Sequence, residues 1–415
     1  MKILLLTTSQ SLYKKSSKFY NGVSWMFTFE QYIANAEGVD LYVASWDKES
    51  KRIEANNRIY YLMKRPKSII QKFQKFLFLP SQETEELAIL TRVVNECQPD
   101  VIHIFGSENN FGLISLHTKI PVVIHIQGII NPYVNAWFPP TFGYVDLFLH
   151  DYNFKRMYNR WWSYAYNKYM AKRELTIHEY CKYYMGRSLW DERVTKILSP
   201  NSTYLRSGEI LRTEFYDSVQ WQPRNNSTIK ITTTISASLY KGYDLVLKTA
   251  SILKNSLGFE FEWHIYGVQQ QNFVENKLKT KGKDVNVFLD GIANAETLRE
   301  EILNSDVYVH PSYIDNSPNS VCEAQILGIP ILCTNVGGVS SLIDTNINGI
   351  LIPANDPYSL AFEIVRITTD KKLAATLSEN GRKTAMNRHN PQMIIDEIIE
   401  NYRTIIAHNK KNQIR

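Results

Sequence analysis

Apolar residues fall into short runs separated by polar turns and by segments with helical spacing. The opening KILLLTT is followed, after a polar loop, by the helical pattern SWMFTFEQYIANA and the strand-like DLYVASW. DVIHIF (100–105), PVVIHIQG (121–128) and KYYMG (182–186) continue the series. Short β-rich runs alternating with helices predict parallel strands covered on both faces. YDSVQWQPRNNSTIK (216–230) is polar, carries Pro223 and reads as a linker. The rhythm then restarts: IKITTTIS (229–236), EFEWHIYG, VNVFLDG, DVYVHPS and PILCTNVGG alternate with the helical YDLVLKTASILKNS (243–256), FVENKLKTKG, AETLREEILNS and SVCEAQILG. That regularity predicts a second doubly wound α/β domain. The expected division is a first domain over 1–215, a linker over 216–228 and a second domain over 229–390. An amphipathic C-terminal helix over 391–415 is expected to pack back toward the first domain. Two such domains place a cleft between the carboxyl edges of their sheets.

Length and composition agree with this division. A chain of 415 residues suits two cores, and 44% hydrophobic with 21% charged residues suits a soluble globular protein. No apolar run is long enough to span a bilayer, and threonines and serines interrupt the opening run, which reads as a strand and not a secretory signal. Cys97, Cys181, Cys322 and Cys333 are scattered without metal-ligand spacing, which points to a reduced, cytoplasmic protein. The net charge of +6 is concentrated in KRPKSIIQKFQKFLFLP (64–80) and NFKRMYNRWWSYAYNKYMAKRE (153–174). Each segment has two readings. It is either a surface that rests on anionic lipid, making the protein peripheral on the cytoplasmic membrane face, or an amphipathic element whose apolar side is core and whose lysines are a solvated rim. No nucleic-acid motif accompanies the charge, so nucleic acid is not an expected partner.

Candidate chemistry centres on DNSPNSVCEA (315–324), which holds Asp315 and Glu323 across a Ser/Asn/Pro loop. The strand DVYVHPS runs into this loop and places Asp315 at the sheet edge where α/β ligands bind. The following helix starts either at Ser317, with Pro318 first, or at Ser320. The second choice makes Ser320 and Glu323 a capping box that only satisfies backbone N–H groups, and it leaves Asp315 unexplained. Lys241 precedes a helix N-terminus, where it is either solvated or, with the free N–H groups, part of a diphosphate cradle. Gly337 and Gly338 end the next strand, where a backbone can approach a ligand closely.

The segment SDVYVHPSYIDNSPNSVCEAQILGIPILCTNVGGVSSLIDTNINGILIPANDP (305–357) resembles the donor-binding region of family 4 glycosyltransferases, which have the two-domain GT-B fold. The resemblance is strongest over 228–357 and reaches QPDVIHIFGSE in the first half. Asp315 and Glu323 match the family's pair of acids separated by seven residues, with Asp in place of the usual Glu. The resemblance implies two Rossmann-like domains facing across a cleft and a nucleoside diphosphate sugar donor whose base stays open. By the same resemblance Glu323 holds ribose, Asp315 with Asn319 and Ser320 addresses sugar and phosphate, and Lys241 meets the diphosphate. Gly22 matches the glycine loop of the first domain, and HIYGVQQ (264–270), with Gly267, lies near the base.

Two departures qualify it. Ser236 stands where the family has a second cation, so Lys241 works alone, or Arg187 reaches into the cleft, or Arg187 is structural. Gln127 stands before Gly128 where a histidine is usual; it can orient a hydroxyl but cannot take a proton. His125, two residues earlier, is either a cleft contact or a plain strand histidine. The activity implied is retaining transfer of a sugar to a hydroxyl of a glycan acceptor received by the first domain, lipid-linked if a basic segment meets membrane. Asp315, Lys241 and Gln127 are the catalytic candidates, with no cofactor and no metal. The alternatives are an epimerase or hydrolase on the same fold and a non-catalytic sugar-nucleotide-binding scaffold.

Overall fold

The computed structural model describes residues 1–8, 24–66, 81–151, 153–225 and 227–414. Gly22 and the basic segment from residue 67 onward to 80 lie outside the described residues.

The first sheet contains β1 (Lys2–Thr7), β2 (Asp40–Asp47), β3 (Lys51–Ala55), β4 (Arg58–Lys64), β5 (Val101–Phe105), β6 (Val122–His125), β7 (Tyr183–Gly186) and β8 (Thr203–Arg206). Its order is β3-β4-β2-β1-β5-β6-β7-β8, parallel throughout except where β3 pairs antiparallel with β4. Alternation along β1 shows why its run is continuously apolar. Ile3 and Leu5 join a cluster with the helix Ser24–Ala34, while Leu4 and Leu6 join one with the helix Ser81–Cys97. The β3–β4 hairpin is an addition to the sequence reading. Asn56 and Asn57 both adopt left-handed backbone angles (φ 54° and 58°), the geometry of a tight hairpin turn, without the glycine that normally marks one.

The second sheet contains β9 (Ile229–Thr234), β10 (Phe261–Tyr266), β11 (Val287–Gly291), β12 (Val307–His310), β13 (Ile331–Thr334) and β14 (Ile350–Ile352). All its pairings are parallel, in the order β11-β10-β9-β12-β13-β14. Strand order reverses between β1 and β5 in one sheet and between β9 and β12 in the other. The loops leaving the carboxyl ends of these four strands therefore border the expected crevices.

Two segments tie the domains together. Trp221, within the polar stretch 216–228, is buried in the second core, and its indole N–H donates to the Ser305 carbonyl at 2.7 Å. The last helix, Pro391–Ile414, lays Ile394, Ile398, Tyr402 and Ile405 into the first domain's cluster, and the Tyr402 hydroxyl meets His103 Nδ1 at 2.6 Å.

The basic aromatic stretch forms more than the first three quarters of the helix Phe154–Tyr180, whose fully buried residues are Ala171, Glu174, Ile177 and His178. Its N-terminal half therefore lies outside the core, with Phe154 83% exposed. Among the described residues no helix is long and apolar enough to cross a membrane.

Candidate functional site

β12 delivers the acidic loop to the cleft, and the loop after β9 delivers Lys241 beside it. The Lys241 ammonium donates to Asp315 Oδ2 at 2.6 Å, and His310 Nε2 lies 3.0 Å from the same oxygen. Across the cleft, the Tyr133 hydroxyl donates to Asp315 Oδ1 at 3.2 Å and accepts the Asn316 N–H at 3.1 Å. Burial would raise the Asp315 carboxyl, but the Lys241 charge and the His310 hydrogen bond overcome it and hold the group well below the usual carboxylate range. Burial likewise opposes the Lys241 charge, and Asp315 more than restores it. The result is a buried ion pair at the mouth of a pocket of about 320 Å³, lined by Glu108, Gln127, Gly128, Tyr133, Tyr240 and Lys241 among others.

Glu323 lies in the helix Asn319–Leu327, which starts one residue after the N-cap Pro318. Both of its carboxylate oxygens accept from Arg212, from Nε and Nη2, each at 2.6 Å. The capping-box alternative is thus not formed, because a guanidinium 111 residues earlier in the chain occupies the carboxylate. Burial lifts the Glu323 carboxyl, with Arg212 opposing; the Arg212 guanidinium, desolvated but bridged, holds its proton more firmly than usual. In the same first turn, Asn319 Nδ2 donates to Glu209 at 2.6 Å, and Ser320 is half-buried.

Arg187 reaches the cleft. It is ion-paired to Glu209, donates to the Ser317 carbonyl at 3.0 Å, and touches Gln127 Oε1 at 3.4 Å. It therefore links the end of β7 to the acidic loop instead of presenting a free cation. Gln127 lines the pocket, its carbonyl accepts from Asn316 Nδ2 at 3.3 Å, and its own Nε2 has no partner among the described residues. His125 is not brought to the pocket. It is 1% exposed on the β6 face, packed against His103 and Phe105 with ring centroids 5.3 and 6.0 Å away. Gly267 follows β10 with φ 95°, and a Cβ there would collide with the Ile235 carbonyl, so only glycine fits.

The Gly337–Gly338 turn corrects an expectation. Its close approach is to protein: a Cβ on Gly337 would strike the Asp315 carbonyl, and one on Gly338 the Asn316 carbonyl. The Gly338 N–H donates to the Asp315 carbonyl at 3.0 Å, so the turn braces the acidic loop from behind. Tyr133, His310, Arg212, Glu209 and Asn316 are site residues that the sequence reading missed. Among the described residues no group of three or more His, Cys, Asp or Glu is placed to hold a metal ion.

The architecture is that of the GT-B glycosyltransferases. The sucrose-phosphate synthase of Thermosynechococcus elongatus superposes with a TM-score of 0.69, covering 98% of this chain and 99% of that one at 16% identity. Residues 219–384 match the model of the family described as "Glycosyl transferases group 1". The match lies within the second domain, which is thus similar to that family. Curated relatives include the capsular polysaccharide biosynthesis glycosyltransferase CapM of Staphylococcus aureus, 30% identical over 25% of this chain and 27% of its own length. Another is the UDP-Gal:α-D-GlcNAc-diphosphoundecaprenol α-1,3-galactosyltransferase of Escherichia coli, 36% identical over 24% of this chain and 25% of its own. The matched stretches thus span about a quarter of these relatives.

Proposed function

We propose that the protein is a retaining glycosyltransferase that moves a sugar from a uridine diphosphate sugar to a hydroxyl of a glycan acceptor. The observation that carries this reading is the Lys241–Asp315 ion pair at the pocket, 2.6 Å long, beside Glu323 in the first turns of the adjoining helix. In this arrangement the diphosphate lies against Lys241 and the free N–H groups of the helix Asn319–Leu327, the ribose diol donates to Glu323, and the transferred sugar meets Asp315. The unpartnered Gln127 amide supplies a donor to a sugar oxygen. Arg187 serves as a positioning residue that fixes the acidic loop against the first domain.

The bond between the anomeric carbon and the diphosphate oxygen breaks, and a leaving diphosphate oxygen takes the proton of the acceptor hydroxyl. That hydroxyl oxygen then bonds to the anomeric carbon from the face being vacated, so configuration is retained. Catalysis is positioning plus stabilisation of the departing charge. Uridine is favoured by the donor of the Escherichia coli relative, whose acceptor carries diphosphoundecaprenol. A lipid-linked acceptor also suits the exposed Phe154, Val145 and Leu149 on the first domain. The test is release of UDP from UDP-glucose, UDP-galactose and UDP-N-acetylglucosamine, with and without a lipid-linked glycan extract. Stimulation by the extract, abolished in Lys241→Met, is expected. UDP release at the same rate with and without extract would make the protein a hydrolase.

A further inference from the structure

The loop that leaves β5 borders the switch point of the first sheet, as the acidic loop borders that of the second. It carries Gly106, Ser107 and Glu108. Glu108 turns its carboxyl back between the ends of β5 and β6. A Cβ on Gly106 would strike its carboxyl, and one on Gly128 would come within 2.8 Å of Oε1, so two glycines leave the space this side chain fills. The Gly128 N–H faces the carboxyl and its own N–H does the same, while Arg173 Nη2 holds the Glu108 carbonyl at 2.5 Å. The side chain is half-buried, open to the pocket that Lys241 and Tyr240 close from the other domain.

Glu108 has no cation within ion-pair distance among the described residues. Arg173 is committed to Glu83 at 2.8 Å, Arg187 to Glu209, and Lys241 to Asp315. The neighbouring acid, Glu174, is already satisfied by Ser107, the Ile130 and Asn131 N–H groups and the Asn131 side chain. A half-buried carboxyl held in place by backbone, supplied with room by two glycines and left without a counter-charge among the described residues has unused acceptor capacity facing the pocket.

On the transferase reading, we infer that Glu108 anchors the substrate from the first domain by accepting a hydrogen bond from a hydroxyl of a sugar seated in this pocket. The hydroxyl belongs either to the transferred sugar or to the acceptor sugar; both present the same chemistry. The carboxyl is pushed up to about 7 by burial, with Glu174 adding to the rise and backbone N–H groups and Arg187 opposing it. Glu108 thus changes charge near neutrality, and a hydroxyl donor favours its ionised form.

The test compares wild type, Glu108→Gln and Glu108→Ala by calorimetric titration with UDP, UDP-glucose, UDP-galactose and UDP-N-acetylglucosamine. In parallel, saturation-transfer NMR of the UDP-saturated proteins uses methyl glycosides of glucose, galactose and N-acetylglucosamine. UDP affinity, set by the second domain, should be equal in all three proteins and reports that the variants are folded. If the hydroxyl is the donor's, one UDP-sugar loses about tenfold in affinity in the variants while UDP does not. If it is the acceptor's, the UDP-sugars are unchanged and a methyl glycoside signal disappears. Variants that match wild type in both arms overturn the assignment of Glu108 and leave the transferase reading standing. A wild type that binds none of the nucleotides overturns the transferase reading and the Glu108 assignment with it.

Discussion

Replacing Arg212 by methionine isolates the electrostatics of the candidate ribose site. Glu323 keeps 5% of its side-chain surface exposed, and its two oxygens each lose a 2.6 Å donor. Breaking a buried pair from one side costs about 3–5 kcal/mol. A carboxyl can escape part of that by taking a proton, which at pH 7 costs about 3.5 kcal/mol from an ordinary Glu pKa of about 4.3. Protonation therefore caps the electrostatic loss near 3.5 kcal/mol at pH 7, and the cap falls by about 1.4 kcal/mol per pH unit. Arg212 also sits 4.7 Å above the Phe215 ring, a contact of about 0.5–1 kcal/mol that methionine loses at every pH.

The sign follows from linkage. In the variant the folded-state pKa of Glu323 rises further above its unfolded value, so its stability is retained at low pH and lost as pH rises through the folded pKa. The assay is calorimetric unfolding between pH 5.5 and 7.5. The second domain should melt about 8–18 °C lower at pH 7, with the gap narrowing to about half at pH 5.5. Adding Glu323→Gln should remove the pH dependence. A gap that stays constant with pH, or survives undiminished in the double variant, would show that Arg212 contributes by packing and not by charge.

Glu108→Gln should be more stable than wild type above pH 7, because a carboxyl raised to about 7 loses its folded-state advantage as pH rises through that value. The shift converts to about 2–3 kcal/mol by pH 8.5, checked by urea unfolding at pH 5 and 8.5. Phe154→Ser with Val145→Ser should reduce sedimentation with vesicles containing anionic phospholipid and leave UDP binding intact. Equal sedimentation would place the exposed surface of the first domain away from membrane.

Most of the fold was legible because parallel strands buried on both faces leave continuous apolar runs such as Ile3–Leu6, and the helices between them are periodic. The β3–β4 hairpin was not, since Asn56–Asn57 supplies positive φ without a glycine to announce it. At the site, Asp315, Lys241 and Glu323 stood out because local geometry, a strand end or a helix start, explains where each lies. Their partners were hidden: Arg212 is 111 residues from Glu323, and Tyr133 is 182 from Asp315. Residues that distant in the chain meet only through tertiary packing, and neither spacing nor periodicity encodes it. The glycine pair at 337–338 was recognised as a close approach, but whether the approaching group is ligand or backbone depends on the neighbouring loop.

The central claim is that Glu323 and Lys241 hold a nucleoside diphosphate. The most direct test is thermal unfolding of wild type and Glu323→Ala against UDP, GDP, ADP, dTDP and CMP. A nucleotide at a hundred times its dissociation constant stabilises the native state by about 2.7 kcal/mol. The account predicts that UDP raises the wild-type midpoint by several degrees and leaves Glu323→Ala almost unmoved. Equal stabilisation of both proteins by UDP, or of wild type by none of the five, would contradict it.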